Sequence, residues 1–170
     1  YQGNATPNPP AARRWTRQDA GLPGKGFVFC CFNNSYKISP GTFQGWMRIL
    51  LRVEGSVLWL FEAEAQAMDN LRREAGAAGV DPSRLVFAPF RPLADHLARY
   101  PLADLFLDTL PYNAHTTASD ALWCGVPVLT RPGRAFAGRV AASLLHAVGM
   151  PELVVASEQA YEDLAVQLAQ

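Results

Sequence analysis

From Gly26 onward the chain alternates between short continuous apolar runs and stretches in which apolar residues recur every three or four positions. Phe27 to Phe32 is the first run, of strand length and rich in aromatics. Ser39-Pro40 then supplies an N-cap followed by proline at the first helical position. Phe43, Trp46, Met47, Leu50 and Leu51 follow at the spacing of one helix face, and Gly55 ends the helix. The rhythm repeats. Strands are predicted at Val57–Phe61, Leu85–Ala88, Leu105–Leu107, Val126–Thr130 and Leu153–Val155. Helices are predicted at Gln66–Ala78, Pro92–Tyr100, from Thr116 or Thr117 through Trp123, Ala135–Val148 and Glu158–Gln170.

Six predicted strands thus alternate with six helices, and the strands are apolar on both faces. Parallel strands covered on both sides by crossover helices read this way, so the predicted fold is α/β, a doubly wound, mostly parallel, Rossmann-like sheet. Ligands of such sheets lie beyond the carboxyl ends of the strands, near a topological switch point. The polar residues that follow each strand are therefore the ones to weigh.

Residues Tyr1 to Lys25 carry Pro, Asn, Gly, Gln and Arg without periodicity, which is linker composition. Trp15 is the one residue there expected to pack. The expected division is an extended linker over 1–25 and one domain over 26–170 whose C-terminal end is cut short. A chain that opens on Tyr1 without methionine is expected to be a piece of something longer.

Composition narrows the function classes. Fifteen Lys and Arg balance fifteen Asp and Glu, so no overall field draws in nucleic acid or an anionic membrane surface. No apolar run approaches the roughly 18 residues of a membrane span. Cys30 and Cys31 sit side by side in an apolar run and Cys124 lies far away; an odd set of buried thiols suits a reducing, cytoplasmic setting.

The richest stretch is Pro111-Tyr-Asn-Ala-His-Thr-Thr-Ala-Ser-Asp120, after the fourth strand. Thr117 with Asp120 three positions on reads as a capping box. The first turn of the helix would then point backbone N–H groups and two threonine hydroxyls outward at the positive end of its dipole, with His115 adding a donor. That is a cradle for a diphosphate; helix capping alone is the other reading, and the two are compatible. After the first strand comes Asn33-Asn34-Ser35-Tyr36-Lys37, where Lys37 could charge-pair a phosphate or stay a solvated loop lysine. His96 and Arg99, three apart on one helix face, could hold a planar heterocycle or form a charged surface stripe. Arg131-Pro-Gly-Arg134 reads as a solvated turn, and His146 as a core or helix-end histidine.

Several common chemistries lack their signatures. No Gly-x-Gly-x-x-Gly follows the first strand, and Gly21–Gly26 lacks the Lys-Ser/Thr ending of a phosphate loop. There is no Gly-x-Ser-x-Gly elbow. The three histidines and three cysteines have no zinc spacing.

With the loops placed, Cys31-Phe-Asn-Asn-Ser-Tyr-Lys-Ile38, Ser56-Val-Leu-Trp-Leu60, Asp104-Leu-Phe-Leu-Asp-Thr109 and Asn113-Ala-His-Thr-Thr-Ala-Ser-Asp-Ala-Leu-Trp123 resemble the protein O-linked N-acetylglucosamine transferases. Val128-Leu-Thr and Arg139-Val-Ala-Ala-Ser143 continue the likeness, which covers roughly Phe27 to Gln170. Bacterial members carrying helical repeats ahead of the catalytic region look most similar. The resemblance implies the C-terminal lobe of a two-lobed GT-B glycosyltransferase that needs no metal or other cofactor. UDP-N-acetylglucosamine would be its donor, and serine or threonine of a protein its acceptor, with inversion at the sugar.

Carried over by that resemblance, Lys37 would bind the diphosphate and stabilise the departing UDP, with Asn34 near the phosphates. His96 would stack on uracil with Arg99 at its edge. His115, Thr116 and Thr117 would form the donor-binding run, and Asp120 would hold the ribose hydroxyls. Leu93 stands where some members have lysine, and Arg134 where members usually have glutamate. The implied partners are a UDP-sugar, a protein acceptor, a missing N-terminal lobe and helical repeats of the same chain. The chain alone is expected to be inactive. The alternatives are a nucleotide-sugar-binding module without turnover, or a vestigial lobe in a repeat-containing interaction protein.

Overall fold

The computed structural model describes residues 8–170; the part of the predicted linker at residues 1–7 lies outside them. Five strands, β1 (Val28–Cys31), β2 (Val57–Phe61), β3 (Leu85–Ala88), β4 (Leu105–Leu107) and β5 (Val128–Leu129), form one parallel sheet in the order β3-β2-β1-β4-β5. The helices are α1 (Pro40–Arg52), α2 (Ala65–Ala77), α3 (Leu93–Arg99), α4 (Thr116–Trp123), α5 (Val140–Ala147) and α6 (Glu158–Leu168). The doubly wound α/β expectation holds. The chain leaves β1 toward β2 on one side and later returns to β4 on the other. A crevice therefore opens between the loops that follow β1 and β4.

The sixth predicted strand is not one. Pro151–Leu153 is a 3-10 turn, and only Val154 bridges to Thr130. The helix predicted over Ala135–Val148 is also divided, into a 3-10 turn at Phe136–Gly138 and α5. Phe136 and Val148, at the two ends of that predicted helix, are exposed, as is Leu51 of α1, while Ile49 takes a core position. His146 is exposed in the last turn of α5, so it is the helix-end histidine and not a core one.

Every residue of β1 is buried, as are Val57–Leu60 and all of β4. Each fully buried Leu or Phe contributes roughly 1.5–3 kcal/mol. Helix α1 begins as the sequence indicates: the Ser39 hydroxyl accepts from the Thr42 N–H, with proline at the first position. It docks on α6 through the Arg48–Glu162 pair at 2.6 Å and through Trp46, whose indole N–H donates to the Tyr161 hydroxyl at 3.0 Å.

Ahead of β1, a turn at 17–21 leads to Leu22, which is buried in the core along with the strands, whereas Trp15 is only half-buried. Gly26 enters β1 with φ +99°, and a Cβ there would collide with the Gly55 carbonyl. Among the described residues no helix is long and apolar enough to cross a membrane.

Candidate functional site

Three polar residues occupy the carboxyl ends of otherwise apolar strands: Asn33 after β1, Asp108 after β4 and Thr130 after β5. All are buried, so each must find hydrogen-bond partners inside the protein. Asp108 accepts from the Thr109 N–H at 2.8 Å, the Ala114 N–H at 2.7 Å and the Thr130 hydroxyl at 2.6 Å. These bonds curl residues 109–114 back over the strand end, and Asn113 adds a bond from its side-chain amide to the Thr109 carbonyl at 2.8 Å. Asn33 then ties this loop to the one after β1. Its amide donates to the Thr109 hydroxyl at 2.8 Å, and its carbonyl oxygen accepts from the Thr117 hydroxyl.

Lys37 closes a 3-10 turn, Ser35–Lys37, and reaches across the crevice. Its ammonium donates to the Asn113 carbonyl at 3.1 Å and lies 3.9 Å from the centre of the Tyr112 ring. Burial lowers its pKa, opposed by the Asp108 carboxylate. The ring of His115 lies 5.0 Å from that of Tyr112, so Lys37 and His115 flank the same side chain. The two predicted phosphate-binding elements share one crevice.

His115 is the N-cap residue of α4, with no side-chain cap on the helix; its Nε2 lies 3.3 Å from the Ala137 carbonyl oxygen. The predicted capping box does not form. The Thr117 hydroxyl turns to Asn33, and the Asp120 carboxylate makes no hydrogen bond to any described residue. The expectation of two outward threonine hydroxyls is corrected accordingly: Thr116 is exposed and Thr117 points inward at its long-range partner. What remains for an anion is the uncapped first turn of α4, at the positive end of its dipole, beside the Lys37 ammonium. Asp120 is half-buried, and desolvation raises its pKa; hydroxyl donors would relieve that cost.

Asn34 is exposed beside Lys37, its carbonyl accepting the Lys37 N–H at 3.0 Å. His96 and Arg99 lie on α3, on the far flank of the β1 loop. The His96 ring sits edge-on to Phe32, at 4.9 Å and 68°. Arg99 is 1% exposed and donates to His96 Nδ1 and to the Pro89 carbonyl, so it meets the crevice only through His96. Leu93 and Arg134 are exposed. Among the described residues no three His, Cys, Asp or Glu side chains converge as metal ligands.

Sequence reasoning missed Asn33, Asp108, Thr109, Asn113 and Thr130, which build the site without being its reacting groups. The available signal was a polar residue at the same end of several neighbouring apolar strands.

The family model for glycosyl transferase family 41 matches residues 4–170. A UDP-N-acetylglucosamine–peptide N-acetylglucosaminyltransferase of Caenorhabditis elegans is 44% identical over 147 residues, which is 86% of this chain and 13% of that protein. A probable enzyme of the same description from Arabidopsis thaliana is 43% identical over 154 residues, 90% of this chain and 16% of that protein. Among solved structures, a mutant of the Thermobaculum terrenum O-GlcNAc transferase superposes with a TM-score of 0.82 at 38% identity, covering 85% of this chain and 28% of that one. The chain thus spans a small part of the length of these relatives. By its sequence and its five-stranded parallel sheet, the chain belongs to glycosyl transferase family 41.

Proposed function

We propose that this chain is the donor-binding lobe of a protein O-GlcNAc transferase, which moves N-acetylglucosamine from UDP to serine or threonine of a protein with inversion. The observation that carries this reading is the meeting of Lys37 with the uncapped first turn of α4 in one crevice at the switch point. In that reading the diphosphate lies on the N–H groups of α4, with Thr116, Thr117 and His115 around it and Asn34 at its rim. Lys37 stabilises the charge that grows on UDP as the glycosidic bond breaks. Asp120 accepts from the ribose hydroxyls, and His96, backed by Arg99, meets the uracil. Lysine and helix dipole supply the positive charge that a metal supplies in other glycosyltransferases, so we assign the reaction no metal. The acceptor site, a second lobe and helical repeats would come from sequence outside this chain. Free cysteines at 30, 31 and 124 fit a reducing, cytoplasmic setting.

The test is binding of UDP and UDP-N-acetylglucosamine by calorimetry, together with radiolabelled sugar transfer by the full-length protein that carries this chain. A charge-assisted hydrogen bond is worth roughly 1.5–3 kcal/mol. Lys37→Ala should therefore weaken UDP binding roughly 10- to 150-fold, and full-length protein carrying it should lose transfer. Unchanged UDP affinity in Lys37→Ala would reject the placement of the diphosphate. Tight donor binding without transfer by the full-length protein would leave a binding module in its place.

A further inference from the structure

Between Asp120 and Glu152 the chain carries no acidic residue, yet it carries Arg131, Arg134 and Arg139. In a chain whose charges balance overall, the stretch from β5 into α5 is therefore a local positive pole. On the helices α1 and α2 arginines are neutralised: Arg48 meets Glu158 and Glu162, Arg52 meets Asp163, and Arg72 meets Asp69. The side chains of Arg131, Arg134 and Arg139 form no ion pair and no hydrogen bond with any described residue.

This pole borders a groove. Arg139, Ser143 and His146 follow one another at four and three positions, so they share one face of α5, and all three are exposed. They line a groove of about 410 Å³ together with Val140, Val154 and Phe136. Phe136 joins the groove to the crevice, since its ring lies 6.3 Å from that of His115. That ring is 67% exposed, but the turn that carries it is fixed. The Gly133 N–H donates to the Gly138 carbonyl at 2.6 Å, and the Asn113 N–H donates to the Ala137 carbonyl at 2.8 Å.

An aromatic ring held in water by a fixed turn is the kind of anchor around which protein interfaces form. Unpaired guanidinium groups beside it select a partner of opposite charge. Nucleic acid fits less well, because the groove has aliphatic walls and a single aromatic ring, not a row of rings on which bases could stack. We propose that this groove seats an acidic segment of the protein acceptor, with Arg134 and Arg139 pairing its carboxylates and Phe136 covering its apolar atoms. From Arg139 to His146 the helix rises about 10 Å, which is room for about three residues of extended chain. The acidic positions thus lie a few residues to one side of the modified serine or threonine, whose own hydroxyl is held by sequence outside this chain. That the segment belongs to an acceptor rests on the transferase reading above; that the groove takes an acidic polypeptide does not.

The test pairs binding with transfer. The ¹⁵N-labelled chain is titrated with a synthetic peptide of one serine beside four glutamates, with the same peptide carrying glutamines in their place, and with a single-stranded RNA of ten adenosines. The glutamate peptide should shift the amides of Phe136, Arg139, Ser143 and His146, bind about tenfold more tightly than the glutamine peptide, and weaken as salt rises. Equal affinities for the two peptides, shifts confined to the surroundings of Lys37, or tighter binding of the RNA would each overturn the groove without any variant. The double variant Arg134→Glu, Arg139→Glu should abolish the preference for glutamate with UDP affinity unchanged, whereas Arg139→Lys, which keeps the charge, should retain it. In the full-length protein that carries this chain, the double variant should raise KM for the glutamate peptide about fivefold and leave kcat alone. An unmoved KM would overturn the acceptor assignment. Transfer to neither peptide by the wild-type full-length protein would overturn that assignment together with the transferase reading, while the titration still decides the groove.

Discussion

Asp108 ends β4 with its carboxyl group inside the protein, 4% exposed, and two effects contend for its charge. Desolvation raises the pKa; hydrogen bonds from the Ala114 N–H, the Thr130 hydroxyl and the Thr109 N–H, with the Lys37 charge, lower it. Burial wins, lifting it from 3.8 to about 7. A carboxyl whose folded pKa is raised stabilises the fold most below its unfolded value, and that contribution is lost as pH rises through the folded one. At about 1.4 kcal/mol per pH unit, the full gap amounts to about 4 kcal/mol, of which more than half falls between pH 5 and pH 8. In Asp108→Asn the side-chain carbonyl still accepts from both backbone N–H groups, and the amide can donate to Thr130. Any misfit is then the same at every pH. Urea unfolding at pH 5, 6, 7 and 8 should show the variant gaining roughly 2–3 kcal/mol on the wild type across that range, because all other titrating groups cancel in the difference. Parallel curves for the two proteins would refute the reasoning: either Asp108 is ionised throughout, or its burial costs nothing.

Two further substitutions probe the frame of the site. Tyr161→Phe removes a hydroxyl that accepts from the Trp46 indole and donates to the Asp108 carbonyl, each at 3.0 Å; two buried groups lose partners, and denaturant unfolding should show a loss of about 2–4 kcal/mol. Gly138→Ala places a Cβ 2.8 Å from the Pro111 carbonyl oxygen and 3.1 Å from the Gly133 Cα, both backbone. The β5 loop must then move off the loop whose Asn113 N–H donates to the Ala137 carbonyl, and UDP affinity measured by calorimetry should fall by about an order of magnitude with a cooperative fold retained.

The sheet and most helices were legible because each buried strand is a short apolar run and each helix a face of three-and-four spacing. The misreadings share one physical origin: local pattern cannot see a partner distant in the chain. Thr117 and Asp120 have the spacing of a capping box, yet Asn33, 84 positions earlier, takes the Thr117 hydroxyl. Leu153–Val155 has the composition of a strand, but β5 spans only two residues and leaves it a single bridge. The helix expected from Ala135 breaks at Arg139 because Gly138 is drawn against Gly133 and Pro111. Leu51 keeps four-residue spacing with Met47, yet it stays 53% exposed. Lys37, His96, Arg99 and His115 were named from their places after the strands and from the family resemblance; what they rest on became visible only in three dimensions.

Those supports set Lys37 apart from a solvated loop lysine. A lysine on a free loop would keep its side-chain entropy and its ordinary pKa. Lys37 instead spends one of its three donors on the Asn113 carbonyl, sits against the Tyr112 ring and is partly desolvated. Burial works against the cation here while the Tyr112 ring and the Asp108 charge favour it, and its remaining donors stay open to an anion or to water. The loop it leans on is fixed independently, by Asp108 beneath and Asn33 across, so lysine and helix terminus are already in place for the diphosphate that the proposed function assigns to them. Reorganisation that a flexible site would need on binding has been done during folding, and the raised pKa of Asp108 is where the fold bears that cost.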